Sequence, residues 1–308
     1  MRKKNLPTPA AVPSEATLLS EGIRVQAESP ARRSVRRFFR NRPATIALVV
    51  LTAMTLAALA APLIQRYPPD EIDLDNLSSP PTWEHWLGTD LLGRDVWSRV
   101  IHGGRVSLSL GLVAALATAL IGTFFGLIAG FMRGIVDTVI MRLVDVLMTI
   151  PGTLVLLILV MYLGPGLSKL LIILPAMGWM GTCRMMRGQV LSVREVDYVM
   201  ASRCLGFPAW RIIVRQILPN AFAPILVSIT MSVGGIILSE AGLSFLGLGI
   251  QPPTPSWGNM LQTASALYVL QGMPWMWLPP GILVVITVLC VNFLGDGLRD
   301  AIDPRMVL

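Results

Sequence analysis

The sequence predicts an all-α integral membrane protein with six transmembrane helices. Hydrophobic residues make up 54% of the 308 residues and charged residues only 14%, which lies outside the range of soluble globular domains. A spanning helix needs about 20 predominantly apolar residues. Six windows meet this requirement, at about 45–65, 106–131, 143–163, 167–186, 221–245 and 277–295.

The distribution of Lys and Arg predicts the orientation, because cytoplasmic segments beside spans retain an excess of these residues. The chain has 25 of them, and ten fall in the first 44 residues. Alternate segments carry few basic residues, namely Arg66, Arg94, Arg99, Arg105 and Lys169. We therefore expect both termini, and the segment between spans four and five, to be cytoplasmic.

The N-terminal tail, residues 1–44, is polar and rich in Pro, Ser and Arg. It has no apolar core ahead of a small-residue cleavage site, so we expect no cleaved signal. The tail is expected to be disordered up to about Ser34, followed by a first span at 45–65 that acts as an uncleaved anchor. The net charge of +7 suits anionic lipid headgroups beside the spans, and nucleic acid is not an expected partner.

The extracytoplasmic loop, residues 66–105, differs in composition from the basic segments around it. It contains two Pro pairs, a group of acidic residues and several aromatic rings, among them Trp83, Trp86 and Trp97. Trp favours the headgroup zone of a membrane. The loop is therefore either a docking surface or lid, or a solvated loop with aromatic anchors.

The cytoplasmic segment DYVMASRCLGFPAWRIIVRQILPN, residues 197–220, is too long for a simple turn. Asp197 is placed to cap a short helix, Gly206 to end it in the left-handed conformation, and Pro208 to begin a second helix. The second helix carries an apolar stripe at helical spacing, from Trp210 to Ile217. Such a helix either fits a groove on a partner or rests on lipid headgroups.

Two acidic residues lie within apolar segments, where an ionisable group is a functional candidate. Glu240 lies near the outer end of span five, either in a pathway or gate or in a structural hydrogen bond. Asp145 is expected to pair with Arg142, three residues earlier. The spacing of Gly122, Gly126 and Gly130 favours close helix packing, within this chain or against a partner.

The sequence lacks the residues that several classes of function require. The three Cys show no CxxC spacing and both His fall in the external loop, so we predict no catalytic, metal or cofactor site. No GxxxxGK[ST] phosphate loop is present either. A secondary transporter is an alternative, although such proteins are expected to show inverted repeats, and none is evident.

Several motifs resemble one family. Residues 197–220 look like the coupling loop, called the EAA loop, of permease subunits of type I ATP-binding cassette importers. Residues 85–108, 125–151, 239–261 and 292–305 are similar to its dipeptide, oligopeptide and nickel branch, and to the second, C-type permease within it. The Glu-Ala-Ala sequence that gives the loop its name is here Met200-Ala201-Ser202. Because the Glu is absent, a salt bridge that other family members make through it is not expected in this chain.

The resemblance implies a MetI-like fold, with one N-terminal helix, a five-helix core at 106–298 that contains the coupling loop 187–219, and a cytoplasmic tail at 299–308. The residues that it assigns to ATPase coupling are Asp197, Tyr198, Ala201, Ser202, Gly206, Leu218 and Pro219.

The implied partners are a second, homologous permease in a heterodimer, two ATPase subunits that bind ATP and magnesium, and an extracytoplasmic peptide-binding protein. The implied location is the inner membrane of a bacterium, where the chain would move dipeptides or oligopeptides inward by alternating access. Nickel is the alternative cargo, because peptide and nickel permeases share these motifs.

Overall fold

The computed structural model describes residues 30–302, and this range forms helices and loops with no β-strand. The disorder predicted for residues 1–29 and the end of the predicted C-terminal tail, residues 303–308, lie outside this range. Disorder up to Ser34 is wrong for residues 30–34, because a helix begins at Pro30.

The helices are numbered in chain order. Their bounds are α1 Pro30–Arg40, α2 Arg42–Leu59, α3 Ala61–Ile64, α4 Val96–Met132, α5 Gly134–Thr149, α6 Gly152–Leu163, α7 Leu167–Val193, α8 Asp197–Cys204, α9 Ala209–Ile212, α10 Leu218–Phe245, α11 Trp257–Leu261, α12 Leu267–Gly272 and α13 Pro274–Ile302. A π-helical turn, Ile213–Ile217, joins α9 to α10, and short 3₁₀ turns occur at Leu74–Asn76 and Gln262–Ser265.

Within residues 30–302, four helices are long and apolar enough to cross a membrane: α2, α4, the continuous helix Ala209–Phe245, and α13. The helices α5 and α6 pass the same test as a pair, but they are bent by 86°. Helix α7 has 27 residues, enough for a span, but carries Lys169, Arg184 and Arg187. The all-helical membrane architecture is confirmed, while the count of six spans and the cytoplasmic termini stay predictions.

The third predicted span, 143–163, is not one straight helix. Ile150 has an extended backbone, and Pro151 is the N-cap residue immediately before the next helix. A residue before Pro is pushed out of the helical region, so α5 ends there and α6 starts in a new direction.

The second predicted span begins ten residues earlier than expected. The Asp95 carboxylate accepts a hydrogen bond of 2.8 Å from the Ser98 backbone N–H, which caps the N-terminus of α4. The loop between α3 and α4 therefore covers residues 65–95, and residues 96–105 belong to the helix rather than to the predicted loop 66–105.

The loop between α3 and α4 is held against the ends of the helices. Arg99 is 3% exposed, and its guanidinium donates a hydrogen bond of 2.9 Å to the Pro69 carbonyl. His85 Nδ1 lies 2.9 Å from the Asp95 carboxylate, and Trp275 Nε1 donates to the Thr89 carbonyl at 3.2 Å. These contacts make an ordered layer, from which the Trp83 side chain projects outward.

The close packing of α4 against α7 depends on glycine. A Cβ atom at Gly122 would lie 2.7 Å from the Trp179 carbonyl oxygen, and one at Gly126 would lie 2.6 Å from that of Cys183. Gly130 is similarly close to the Val190 side chain. The glycine spacing therefore serves the core of this chain.

Ion pairs attach α5 to α7. The Arg187 guanidinium makes two hydrogen bonds to the Asp137 carboxylate, and Asp145 pairs with Arg184. The prediction that Asp145 pairs with Arg142 is wrong. Because α5 packs beside α7, an Arg on the neighbouring helix reaches the carboxylate.

Candidate functional site

The short helix α8 has the ending that the sequence predicts. Gly206 has a φ of +76°, and its N–H donates to the Arg203 carbonyl at 2.9 Å. The Phe207 N–H donates to the Ser202 carbonyl at 3.1 Å. These bonds form a Schellman motif, in which a left-handed glycine satisfies the last carbonyls of the helix.

Asp197 does not cap α8 as predicted. It occupies the first helical position, and the residue before it, Val196, makes no side-chain capping bond. A carboxylate in the first turn still interacts favourably with the positive end of the helix dipole.

Two side-chain hydrogen bonds join α8 to the start of span five. The Ser202 hydroxyl accepts a bond of 2.7 Å from Gln216 Nε2, and it donates to the Tyr198 carbonyl at 2.9 Å. The Tyr198 hydroxyl accepts a bond of 3.0 Å from Asn220 Nδ2. These bonds connect the helix α8 to the Gln216–Asn220 segment.

Arg194 attaches the segment before α8 to the end of α4. Its Nη1 donates to the carbonyls of Gly130 and Phe131, both at 2.9 Å. Burial, together with the nearby cation Arg203, lowers the pKa of Arg194 from its usual value. This side chain supplies donors to carbonyls that a helix C-terminus leaves without partners.

The second half of the cytoplasmic segment is not a separate surface helix. The π-turn Ile213–Ile217 leads directly into α10, which contains Leu218 and Pro219. Proline lacks the N–H of a regular helix, and a π-turn is one way to accommodate the disrupted hydrogen-bond ladder.

The predicted apolar stripe is accordingly split. Ile213 and Ile217 pack in a cluster with the buried Ile212, while Trp210 and Val214 are exposed. The tertiary fold buries the face that continues into span five, and this face does not coincide with the predicted stripe.

Apolar side chains project from α8 and the turn after it. We call this group the coupling surface; it consists of Tyr198, Met200, Leu205, Phe207 and Trp210. The exposed fraction of these side chains ranges from 37% at Phe207 to 74% at Leu205. The small Ala201 is exposed beside them.

Glu240 lies inside the chain, with 1% of its surface exposed. Its Oε1 accepts hydrogen bonds from the Ser244 hydroxyl at 2.7 Å and the Ser256 hydroxyl at 2.9 Å. A Cβ atom at Gly258 would lie 2.7 Å from the same oxygen. Glu240 thus ties α10 to the short helix α11, an arrangement that favours the structural alternative over a gate.

Sequence reasoning missed three residues of this site: Arg194, Gln216 and Asn220. Asn220 directly follows the Leu218-Pro219 pair in the quoted segment, so its position was a usable signal. The other two have no local signature, because their partners are distant in sequence. Gln216 bonds to Ser202, 14 residues away, and Arg194 bonds to Gly130, 64 residues away.

The comparison with family models gives two matches. Residues 122–308 match the binding-protein-dependent transport system inner membrane component. Residues 29–81 match the N-terminal transmembrane domain of oligopeptide transport permease C. Together they cover most of the chain.

Curated relatives are similar along nearly their whole length. A protein named as a peptide permease of Brucella suis biovar 1 (strain 1330) is 43% identical, over 91% of this chain and 92% of its own. The dipeptide transport system permease protein DppC of Bacillus subtilis (strain 168) is 38% identical over 96% and 94%. The oligopeptide permease protein OppC of the same strain is 39% identical over 88% of each.

Among solved structures, the inward-facing methionine ABC transporter MetNI matches with a TM-score of 0.53 and 18% identity, over 66% of this chain and 96% of that chain. At this identity the match supports the fold alone. The family model, which covers more than half of the chain, and the long alignments with its relatives show that this protein belongs to the inner-membrane components of binding-protein-dependent transport systems.

Proposed function

We propose that the chain is the second membrane-spanning subunit of an ATP-driven importer for dipeptides or oligopeptides. The observation that carries this proposal is the similarity to proteins named as peptide permeases, at 38–43% identity and over 88% or more of the chain. The exposed coupling surface and its hydrogen-bonded attachment to two spans suit a subunit that receives force from another protein.

The partner at the coupling surface is an ATPase subunit, and two such subunits serve a pair of permeases. The helix α8 occupies a groove on the ATPase, where apolar side chains such as Leu205 and Phe207 are removed from water. ATP and magnesium bind on the ATPase. This chain contributes no phosphate loop of the GxxxxGK[ST] type.

Transport follows from the connections of α8. Closure of the two ATPases around ATP displaces α8, and the bonds Gln216–Ser202 and Asn220–Tyr198 pass the displacement to α10. Arg194 passes it to α4. ATP changes the balance between inward-open and outward-open states only by binding one of them more tightly.

The remaining partners are a homologous permease, which pairs with this chain as a heterodimer, and an extracytoplasmic peptide-binding protein that delivers the cargo. The ordered loop 65–95, with its exposed Trp83, lies at the opposite end of the chain from α8 along α4. It is the surface on which we place the binding protein.

The test is reconstitution of the complete complex in proteoliposomes, with its binding protein outside and ATP inside. We expect uptake of a dipeptide or an oligopeptide that requires ATP, and no uptake of nickel. Nickel uptake without peptide uptake would contradict the proposed cargo. A chain that purifies alone from its native membrane, with no protein bearing GxxxxGK[ST], would contradict the importer.

A further inference from the structure

A groove of about 750 Å³ opens between α7, α10 and α13, close to α8. One face of α10 forms its long wall. The residues on this face recur at helical spacing and are Asn220, Ala223, Pro224, Val227, Ser228 and Met231.

The groove has the chemistry of a peptide site. Gln189, Asn220 and Ser228 offer amide and hydroxyl groups, and Met185 and Met231 offer flexible apolar side chains. Methionine adapts to apolar groups of different shape, while amides pair with any peptide backbone. The mixture suits a ligand with a constant backbone and variable side chains.

Arg299 adds a positive charge at the groove. Its side chain makes no hydrogen bond or ion pair with another residue in the range 30–302, and a guanidinium can bind a carboxylate through two parallel bonds. A free peptide ends in a carboxylate. A lipid chain in the groove would leave this cation and the side-chain amide of Gln189 without partners, so a peptide is the occupant that the groove fits better.

The same face of α10 stays uncovered beyond the groove. A Cβ atom added to Gly235 or Gly242 would meet no atom within 4 Å, and Leu238, Gly242 and Leu246 line a second opening at the far end of the helix. From Asn220 to Leu246 the face runs about 40 Å at 1.5 Å per residue, which exceeds the hydrocarbon thickness of a bilayer.

Asn220 belongs both to the groove and to the attachment of α8. Its side-chain amide lines the groove and donates hydrogen bonds to the Tyr198 hydroxyl at 3.0 Å and to the Gln216 carbonyl at 2.6 Å. Since Tyr198 is part of α8, a ligand that competes for the Asn220 amide would weaken the bond to α8.

We propose that this groove is the release site for the transported peptide, and that Asn220 couples its occupancy to the position of α8. The inference rests on the proposed function. It adds the residues that contact the peptide immediately before release. It also adds the hydrogen bond that connects occupancy of the groove to α8 and so to the ATPase.

The first experiment is photo-cross-linking in the reconstituted complex. A photoreactive benzophenone amino acid replaces Met231 in the groove or, as the control, Phe222, which is exposed on the opposite face of α10. A radiolabelled tripeptide is supplied with the binding protein and ATP. We expect at least tenfold more labelled peptide on the chain altered at position 231 than on the control.

Uptake is measured in the same preparations, so that two failures can be told apart. Peptide uptake with no adduct at position 231, or with an adduct only to the second permease or to lipid, would overturn the release site and leave the importer intact. Absence of peptide uptake in the unaltered complex would overturn the proposed function, and with it the occupant of the groove.

The second experiment tests the hydrogen bond. Tyr198→Phe removes only the hydroxyl that accepts from Asn220, and Asn220→Ala removes the donor. We expect Tyr198→Phe to lower the peptide moved per ATP hydrolysed by about three- to tenfold, the effect of one net hydrogen bond. Asn220→Ala also loses the bond to the Gln216 carbonyl, so its loss should be at least as large, and the double variant should be no worse than Asn220→Ala alone.

Additive losses in the double variant, or an unchanged ratio of peptide to ATP in Tyr198→Phe, would overturn the coupling role of Asn220. A merely structural role would lower the amount of assembled complex and leave this ratio unchanged. The ratio therefore separates the two.

Discussion

Gly206 ends α8 with a φ of +76°, a conformation that costs other residues about 1–2 kcal/mol and that the proline ring forbids. We expect Gly206→Ala to reduce peptide-stimulated ATP hydrolysis severalfold, and Gly206→Pro to abolish it, with the chain still inserted in the membrane. Hydrolysis by the purified complex, with and without peptide-loaded binding protein, measures the effect.

The control is Gly188→Ala. Gly188 lies inside α7, and a Cβ atom there would meet nothing within 4 Å, so the substitution should leave the stimulation unchanged. Normal transport by Gly206→Pro would remove the coupling role from α8.

Glu240 can be tested by separating its charge from its hydrogen bonds. Glu240→Gln keeps an oxygen that accepts from Ser244 and Ser256, so transport and melting temperature should stay near those of the unaltered complex. Glu240→Ala leaves the buried hydroxyls of Ser244 and Ser256 without an acceptor for their protons, which costs about 1–3 kcal/mol for each unsatisfied donor, and should lower the melting temperature. Loss of transport in Glu240→Gln at an unchanged melting temperature would instead indicate a gate.

At the scale of elements, α4 and α7 approach each other at Gly122 and Gly126 more closely than a Cβ atom at these positions would allow. We expect Gly126→Ala to destabilise the chain by about 1–3 kcal/mol, the usual cost of overpacking, because its methyl group would lie 2.6 Å from the Cys183 carbonyl oxygen. Thermal unfolding of the purified complex in detergent measures this. The matched change Gly181→Ala, on α7 with open space around it, should be neutral, and equal effects of the two would contradict the packing.

At the scale of the whole molecule, the native cysteines report the orientation. Cys204 is exposed on α8, whereas Cys183 and Cys290 are buried. A membrane-impermeant maleimide should therefore label the chain in inverted vesicles and not in right-side-out cells, and Cys204→Ser should abolish the labelling. Labelling from outside would reverse the predicted topology.

The same reagent tests the ATPase partner. If α8 occupies a groove on the ATPase, the assembled complex should label at Cys204 at least tenfold more slowly than the permease pair stripped of its ATPases. Equal rates would place the ATPase elsewhere on the chain.

The sequence by itself determined the class of protein, because apolar length and the bias of Lys and Arg depend on composition alone. It also determined the short helix 197–204 and the turn at Gly206, since a left-handed residue after a helix is a local requirement met by glycine. Its motifs identified the family, which the comparisons confirmed.

Only the tertiary structure decided which residues hold these parts together. Asp145 pairs with Arg184 rather than Arg142, and Arg194 donates to carbonyls more than 60 residues away. Glu240 bonds to Ser256 across a loop. Spacing along one helix identifies only neighbours on that helix, whereas these partners depend on how separate helices pack. The residues that attach α8 to the spans could therefore not be found before the helices were placed.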